Sequence, residues 1–266
     1  MCLIAIAWKT RSDLPLALIA NRDEVHARPT APAGFDPDAV DVYGGRDLVQ
    51  GGSWLQASTR RRLAAVTNVR DGRAPDAVGR SRGWLVRDFV RGGASAEDFA
   101  RALSATAAGY GRFNLLLWDG DALWFAGNHP TFAAKPVAPG LHAMSNGAFD
   151  APWPKSAAAT RTLQDWLPET TGHPRASFDD AVALAPLFAG LRDTRVAPDE
   201  ALPDTGVALE LERRLSPAFI EDPRYGTRCS SVVLADSDGV WFNERRFDAG
   251  GRAAGTSRAR LDTRCP

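Results

Sequence analysis

The chain has 266 residues, 44% of them apolar, and is therefore long enough to bury a full hydrophobic core. Basic and acidic residues number 32 each, and this balance predicts neither nucleic acid nor an anionic membrane surface as a partner. The three cysteines are too few and too scattered for a disulfide framework or a CxxC zinc site, so we predict reduced thiols and no metal site.

The first twenty residues have the pattern of a β-hairpin. Residues 3–8 and 16–20 are apolar, and a polar loop over residues 9–15 separates them. The first apolar run is too short to span a membrane, follows no basic leader and ends at Lys9. We therefore predict two antiparallel strands, no membrane span and a cytosolic location.

The segment Asn21-Arg22-Asp23-Glu24 follows directly after the second predicted strand. An antiparallel partner brings the end of that strand back beside the start of the first strand. We therefore expect Cys2 to be a spatial neighbour of Arg22 and Asp23. Charged residues beside a candidate nucleophile favour a functional site, and an ordinary polar turn is the alternative.

The middle of the chain mixes turn, strand and helix patterns. Two glycine pairs predict turns without the spacing of a phosphate-binding loop; they are Gly44-Gly45 and Gly51-Gly52. Strands are predicted over residues 54–57 and 63–67, and helices over 82–90 and 97–104, the second capped by Ser95. Residues 113–118 and 122–125, joined by Asp119-Gly120-Asp121, predict a further hairpin.

The last part of the chain contains helices followed by a third hairpin. Helices are predicted over residues 154–167 and 178–191, the latter interrupted or ended near Pro186, with a surface loop over 196–205. Residues 230–235 and 240–244 predict the hairpin, and residues 249–266 predict a flexible tail. Hairpins around a helical middle favour one domain over residues 1–248, built from antiparallel sheets covered by helices.

Cys2 is the candidate nucleophile, because removal of Met1 places a thiol and a free α-amine on the same residue. Their ordinary pKa values, about 8.5 and about 7.7 to 8.0, let the amine act as the general base for the thiol near neutral pH. The alternative is that Cys2 is a small apolar residue in a buried first strand, as most cysteines outside disulfides are.

Eight short motifs taken together resemble the NRDE family, also called the Transport and Golgi organisation 2 family. They are Met1-Cys2-Leu3-Ile4, Ala20-Asn21-Arg22-Asp23-Glu24, Arg28-Pro29, Gly51-Gly52-Ser53-Trp54-Leu55, Ala65-Val66-Thr67-Asn68, Ser145-Asn146-Gly147, Pro152-Trp153-Pro154-Lys155 and Tyr225-Gly226-Thr227-Arg228. Their order and spacing match from Cys2 to about Arg246. The resemblance implies a fold like that of the N-terminal nucleophile (Ntn) hydrolases, a four-layer αββα sandwich of the α+β class with two antiparallel sheets between helices.

The resemblance also implies roles for individual residues, by similarity to the more distant choloylglycine hydrolase and penicillin acylase group. Cys2 matches the nucleophile, and Asp23 matches the aspartate that holds the α-amine. Asn146 resembles the oxyanion asparagine, although Gly147 replaces the proline that often follows it. Arg228 resembles a late arginine, which would lower the pKa of the thiol.

Further motif residues are expected to bind the ligand. Asn68 is a weaker candidate for a second oxyanion donor, and Arg22 is offset from the usual arginine position of that group. The binding candidates are Asn21, Arg22, Glu24, Trp54 and Asn68.

Two classes of function follow, and the sequence leaves both open. The first is an Ntn amidohydrolase that cleaves a non-peptide C–N bond of a small or acyl-bearing metabolite and requires no cofactor. The second is a binding or trafficking protein for a hydrophobic metabolite such as haem, with His26, His129, His142, Met144 and Cys229 as candidate axial ligands. In a third reading the hydrolase fold persists without catalysis.

Overall fold

The computed structural model describes residues 2–76, 79–169, 178 and 180–263. These residues form thirteen β-strands and five α-helices. The strands are β1 (Cys2–Trp8), β2 (Leu16–Val25), β3 (Thr30–Asp36), β4 (Ala39–Asp47), β5 (Leu55–Ser58), β6 (Arg62–Asn68), β7 (Phe113–Trp118), β8 (Leu123–Gly127), β9 (Ala133–Pro136), β10 (Gly140–Met144), β11 (Tyr225–Ala235), β12 (Gly239–Phe247) and β13 (Ala253–Asp262). The helices are α1 (Gly83–Arg91), α2 (Ala96–Ala102), α3 (Pro154–Glu169), α4 (Ala185–Leu191) and α5 (Leu209–Leu215).

The strands form two antiparallel sheets. Sheet A has the order β10-β1-β2-β11-β12-β13, and sheet B runs in chain order from β3 to β9. The two strands of the first hairpin therefore lie in the middle of sheet A, with the late strand β11 on the other side of β2. Motif residues from the start of the chain, on β1 and β2, therefore lie beside motif residues from its end, on β11.

Three apolar clusters hold four layers together. One lies between the two sheets and includes Ile6 and Leu18 of sheet A and Leu116 of sheet B. The second joins sheet A to α3 and α4, and the third joins sheet B to α1 and α2. The layers are helices, sheet A, sheet B and helices, which confirms the predicted α+β sandwich.

Strand β2 is buried on both of its faces, from Leu16 through Asp23. Its even residues pack between the sheets, and its odd residues pack under α3 and α4. A strand covered on both sides reads as a continuous apolar run rather than an alternating one. Polar residues at its far end are therefore buried as well, and each needs a partner.

Most predicted elements are confirmed to within a few residues. The hairpin of β1 and β2 forms, as do those of β7 with β8 and β11 with β12. Ser95 caps α2, its hydroxyl accepting a hydrogen bond from the Asp98 amide at 3.0 Å. A short 3₁₀ turn at Asp199–Ala201 lies in the predicted loop.

Two segments that the sequence placed outside the strands, one after a strand and one in a turn, lie within strands. The Asn21 to Glu24 segment lies inside β2 rather than after it, because partners on β11 satisfy its polar side chains: Ser230 donates to Asn21 and Thr227 donates to Asp23, both at 2.6 Å. Gly44-Gly45 lies inside β4, where the missing side chain of Gly45 makes room for the Trp54 ring.

The predicted helix over residues 178–191 is wrong over its first half, because α4 begins only at Ala185, and Pro186 lies in the first turn of α4. The flexible tail predicted over residues 249–266 is wrong over Ala253 to Asp262, where β13 pairs with β12, and residues 264–266 lie outside the described residues. Its Gly, Ala, Ser and Arg residues suggest disorder by composition, whereas the backbone ladder and exposed charges are typical of an edge strand. Strands β3, β9 and β10 and helix α5 were not predicted.

Candidate functional site

The motif residues meet where β1, β2 and β11 lie side by side. Cys2 pairs with Arg22 across the first hairpin, which confirms the expected proximity. On the other side of β2, Arg22 pairs with Cys229 and Asp23 pairs with Thr227. The register shifts between Thr227 and Cys229, and this β-bulge leaves Arg228 as the extra residue.

Asp23 is a buried carboxyl with an exposed fraction of 2%. Its Oδ1 accepts a hydrogen bond from the Thr227 hydroxyl at 2.6 Å. Burial raises the pKa of Asp23, and the charge of Lys155, the Thr227 hydrogen bond and the charge of Arg22 act against that rise. A carboxylate held in this way suits the orientation of a neighbouring ammonium group.

Lys155 is a buried cation at the start of α3, with an exposed fraction of 5%. Its ammonium donates to the Leu215 carbonyl at 2.9 Å. Its charge lowers the pKa of Asp23. Sequence reasoning did not assign it a role, although it belongs to the Pro152-Trp153-Pro154-Lys155 motif.

Arg22 is buried to 94% and stacks on Trp54, with its guanidinium carbon 4.2 Å from the ring centroid. Nη2 lies 3.7 Å from Oε2 of Glu24. Nη1 has no hydrogen-bond partner in the described ranges 2–76, 79–169 and 180–263. Arg22 therefore retains unused donor capacity at the base of the site.

A close backbone approach positions Trp54. The Ser53 amide donates to the Gly83 carbonyl at 3.1 Å, at the start of α1. A Cβ added to Gly52 would lie 2.4 Å from the Gly83 carbonyl carbon, so this approach requires glycine. Gly52, in the second glycine pair predicted as a turn, thus allows the segment with Trp54 to pack closely against α1.

Asn68 and Asn146 are joined directly. Both N–H groups of the Asn146 side chain are directed to Asn68: Nδ2 donates to the main-chain carbonyl at 2.8 Å and to Oδ1 at 3.0 Å. Asn146 is fully buried, and Asn68 lines the main cavity. This geometry leaves the amide nitrogen of Asn68 as the available donor and gives Asn146 the task of orienting it.

Asn21 faces away from the site. Its Nδ2 donates to the Leu191 and Ala218 carbonyls, both at 2.7 Å, and its Oδ1 accepts from Ser230. These bonds tie β2 to the helical layer. The interpretation of Asn21 as a binding residue is therefore not supported by its position.

The main cavity has a volume of about 570 Å³ and lies at the end of the apolar layer between the sheets. Asp23, Arg22, Glu24, Trp54 and Asn68 all line it, so most of the predicted set is brought together. The sequence missed further lining residues that also carry charge or hydrogen-bonding groups: Arg28, Asp47, Asp76, Arg82 and Tyr225.

Several charges around this cavity neutralise one another. Arg28 makes two hydrogen bonds to Asp47, at 3.1 and 2.5 Å, and Arg82 pairs with Asp76. The Arg28 hydrogen bond and charge hold the pKa of Asp47 below its usual range despite burial. The lining is thus polar with balanced charge, which suits a polar ligand better than an apolar one.

Arg228 does not line the main cavity. Its Nη1 donates to the main-chain carbonyls of Val25 and Arg28, at 3.1 and 3.3 Å. Burial lowers its pKa, followed by the repulsion of Arg22. The structure places Arg228 on a second, smaller cavity of about 240 Å³, which shares Arg22 and Trp54 with the first.

The candidate haem ligands are not part of the main cavity lining. His142 contacts Asp150 and the Ala138 carbonyl, and His26 contacts the Asp222 carbonyl. His129 lies 3.5 Å from Asp71, and Met144 is buried in the core between the sheets. These positions do not fit an axial ligand for haem in the main cavity.

The described residues show neither a metal cluster nor a membrane-spanning helix. Among residues 2–76, 79–169 and 180–263, no group of three or more His, Cys, Asp and Glu side chains is arranged to hold a metal ion. Within the same part of the chain, every helix is too short or too polar to cross a bilayer. The cytosolic location stays a prediction.

Comparison with known proteins places the chain in a defined family context. The family model described as Transport and Golgi organisation 2 matches residues 1–249. A Transport and Golgi organization protein 2 homolog from Bos taurus is 31% identical over 260 residues, and one from Homo sapiens is 29% identical over 261, each covering 92% of both chains. These matches confirm the resemblance predicted from the motifs.

Two solved structures are similar at lower identity. A Caenorhabditis elegans N-acylethanolamine-hydrolyzing acid amidase ortholog has a TM-score of 0.48 and 9% identity, covering 87% of this chain and 92% of its own. The C2A mutant of conjugated bile acid hydrolase from Clostridium perfringens also has a TM-score of 0.48 and 9% identity, covering 97% of this chain and 92% of its own.

Proposed function

The chain belongs to the Transport and Golgi organisation 2 family, and we propose that it is a hydrolase of a non-peptide C–N bond in a small or acyl-bearing metabolite. Cys2, as the first residue after removal of Met1, is the nucleophile. The observation that carries this proposal is the β1–β2 ladder, in which Cys2 lies opposite Arg22 and diagonal to the buried Asp23. A buried carboxyl fixed at this position can hold the cationic α-amine of Cys2.

The reaction divides into two steps. The α-amine of Cys2 takes the thiol proton, and the thiolate attacks the carbonyl carbon of the amide. The C–N bond then breaks, the ammonium returns the proton to the leaving amine, and a thioester remains on Cys2. Water attacks the thioester with the α-amine as base, releasing the acid and restoring the thiol. Asp23 keeps the α-amine oriented through both steps.

Asn68 is the donor that we assign to the tetrahedral intermediate. Its Oδ1 is held by Asn146, so its Nδ2 is fixed on the cavity side. One preorganised donor of this kind lowers the barrier by about 3 kcal/mol. Both asparagines were predicted as oxyanion donors, and we assign that role to Asn68 alone, with Asn146 positioning it.

A binding role without turnover would use the same cavity. The balanced charges of Arg28 with Asp47 and Arg82 with Asp76 favour a polar ligand in that role too. Haem binding stays a prediction, and none of its five candidate axial ligands is among the described residues that line this cavity. A haem titration tests it, and a saturable Soret shift that is lost on mutating one histidine or cysteine would support it.

The mass of the intact purified protein tests the first requirement of the hydrolase proposal. We expect Met1 to be absent. Retention of Met1 in the native protein would rule out a nucleophile that uses its own α-amine, whatever ligand the cavity binds.

Turnover of an acyl-amide library tests the second requirement. Cys2→Ala and Asp23→Ala should each abolish hydrolysis while circular dichroism and the melting temperature stay close to those of the unmodified protein. Cys265→Ala serves as the matched control, because it removes another thiol and should retain activity. Undiminished turnover by Cys2→Ala would rule out the mechanism.

A further inference from the structure

The second cavity carries a set of polar side chains that the proposed hydrolysis does not use. It has a volume of about 240 Å³, and Arg22 and Trp54 form the wall that it shares with the main cavity. Its lining also includes Cys229, Glu244 and Arg228. A volume below the usual 300 to 1,000 Å³ of small-molecule sites suits a small functional group rather than a whole large ligand.

Three adjacent strands place these side chains on one face of sheet A. Arg22 on β2 pairs with Cys229 on β11, which pairs in turn with Arg246 on β12. Directly paired residues share a face of the sheet, and Glu244, two positions before Arg246, shares it too. Phe242 continues the same alternation into the apolar layer between the sheets. The cavity therefore lies where that apolar layer ends.

Glu244 is a buried acid, and Nη1 of Arg246, which also lines this cavity, lies 3.5 Å from its Oε1. Glu244 is 2% exposed, and its Oε1 accepts from the Ala33 amide at 2.9 Å. Its Oε2 has no hydrogen-bond partner of normal geometry in the described part of the chain, although the weakly donating thiol of Cys229 interacts with the carboxyl. Burial raises the pKa of Glu244, and the Ala33 amide and Arg246 act against that rise.

Arg22 supplies the complementary donor on the same cavity. Its Nη1 is buried and likewise lacks a hydrogen-bond partner among residues 2–76, 79–169 and 180–263. A buried polar group without a partner destabilises the folded protein, and more so where the group is charged. A single ligand with one acceptor and one donor would complete both hydrogen bonds in this small cavity.

We propose that this second cavity binds a primary carboxamide group, whose carbonyl oxygen accepts from Nη1 of Arg22 and whose N–H donates to Oε2 of Glu244. An amide presents an acceptor and a donor side by side and carries no charge into a buried site. The apolar part of the ligand lies against Pro32 and Phe247. The site shares Arg22 and Trp54 with the main cavity but does not use Cys2, so it should be retained in Cys2→Ala.

Titration with butyramide, followed by ¹H–¹⁵N correlation spectra of the full chain, tests the proposal. The Ala33 amide reports on Glu244, and the Asn68 and Val69 amides report on the main cavity. We expect saturable shifts at Ala33 and Cys229, with Asn68 and Val69 unmoved, in both the unmodified protein and Cys2→Ala. No saturable shift at Ala33, or saturation confined to Asn68 and Val69, would overturn the proposal.

Two comparisons test the pairing itself. N,N-Dimethylbutyramide keeps the acceptor and lacks the N–H donor, and butyrate replaces the donor with negative charge. Each should bind about ten-fold more weakly than butyramide, and equal or tighter binding of either would refute the contact with Glu244. This comparison uses the unmodified protein and does not depend on any variant folding.

Glu244→Met removes the acceptor and should abolish the saturable shifts. Glu210→Met is the matched control, because Glu210 has an exposed side chain on α5 and should leave the affinity for butyramide unchanged. Unchanged affinity in a folded Glu244→Met would also refute the proposal.

Discussion

Asn146 directs both of its side-chain N–H groups to Asn68, one to the main-chain carbonyl at 2.8 Å and one to Oδ1 at 3.0 Å. The two residues are 78 positions apart in the chain. Asn68 ends β6 of sheet B, and Asn146 comes just after β10 of sheet A. This contact therefore locks the rotamer of Asn68 from across the sandwich. A donor whose orientation is fixed before substrate arrives loses no reorganisation energy in the transition state.

The first prediction concerns the division of labour between these two asparagines. Asn68→Ala should lower kcat of an identified amide substrate by about 10² to 10³-fold, with little change in melting temperature, because it removes a single oxyanion donor. Asn146→Ala should lower both kcat and the melting temperature, because it releases Asn68 and leaves the part-buried Asn68 carbonyl without its donor, at about 1 to 3 kcal/mol of stability. Steady-state kinetics and thermal unfolding measure the two effects.

Asn128→Ala is the control for a purely structural asparagine. Its side chain donates to the Ala107 carbonyl at 3.0 Å and accepts from the Phe113 amide at 2.8 Å, and Asn128 itself does not line the main cavity. It should lose stability without a specific loss of kcat. An Asn68→Ala enzyme with full kcat would contradict the assignment.

The sequence predicts contacts set by strand pairing far better than those set by side-chain geometry. Cys2 opposite Arg22 follows from an antiparallel hairpin alone. The position of Arg228 depends on a β-bulge one residue long, and one extra residue turns a side chain toward another cavity. Glu244 looks like any charged residue at a strand end, because its burial depends on β3 of the other sheet, which donates from Ala33.

The second prediction concerns Asp23 and pH. Burial raises its pKa above the ordinary 3.8, so the folded protein holds this proton more tightly than the unfolded chain. The contribution of Asp23 to stability therefore falls as the pH rises from about 3.8 through the raised value. Asp23→Asn should flatten this part of the stability curve, while an Asn side chain still accepts from Thr227.

Urea unfolding of the unmodified protein and Asp23→Asn across this pH range measures the difference. Glu244 has a raised pKa for the same reason, so the slope should shrink rather than vanish. A steeper slope in Asp23→Asn would show that the carboxyl is ionised more readily in the folded protein than in the unfolded chain. Catalysis should be lost in this variant, since a neutral amide no longer holds the ammonium.

The third prediction assigns Lys155 a positioning role for Asp23. Its buried ammonium lowers the pKa of that carboxyl, so Lys155→Met should raise the pKa further. We expect the acidic limb of the kcat/KM profile to move to higher pH, with Lys155→Arg restoring most of the original profile. Lys135→Met, at an exposed position on β9, is the control and should leave the limb in place. A uniform loss of activity without a moved limb would indicate a structural role.

The fourth prediction concerns the buried pair that supports the Asn68 segment. Nη2 of Arg70 lies 2.5 Å from Oε2 of Glu212, and Oε1 of Glu212 accepts from the Thr205 amide at 2.9 Å. Glu212→Leu leaves Arg70 buried without its counterion and should cost about 3 to 5 kcal/mol in the free energy of unfolding. Glu210→Leu, two positions earlier on α5 and exposed, should cost less than about 1 kcal/mol in the same urea titration.

The last prediction concerns His142, which lies within reach of two acceptors. Nδ1 is 2.8 Å from Oδ2 of Asp150, and Nε2 is 2.9 Å from the Ala138 carbonyl. Only the imidazolium can donate to both, so the Asp150 hydrogen bond, and then the Ala138 carbonyl, raise the pKa of His142 above 6.5 despite burial.

A raised histidine pKa contributes stability that is fully present below pH 6.5 and is lost as the pH rises through the folded value. His142→Phe keeps the ring stacked on Phe149 and removes the titration. The unmodified protein should therefore lose up to about 1 kcal/mol relative to His142→Phe between pH 6 and 9. A difference between the two unfolding free energies that does not change with pH would mean that His142 is neutral throughout.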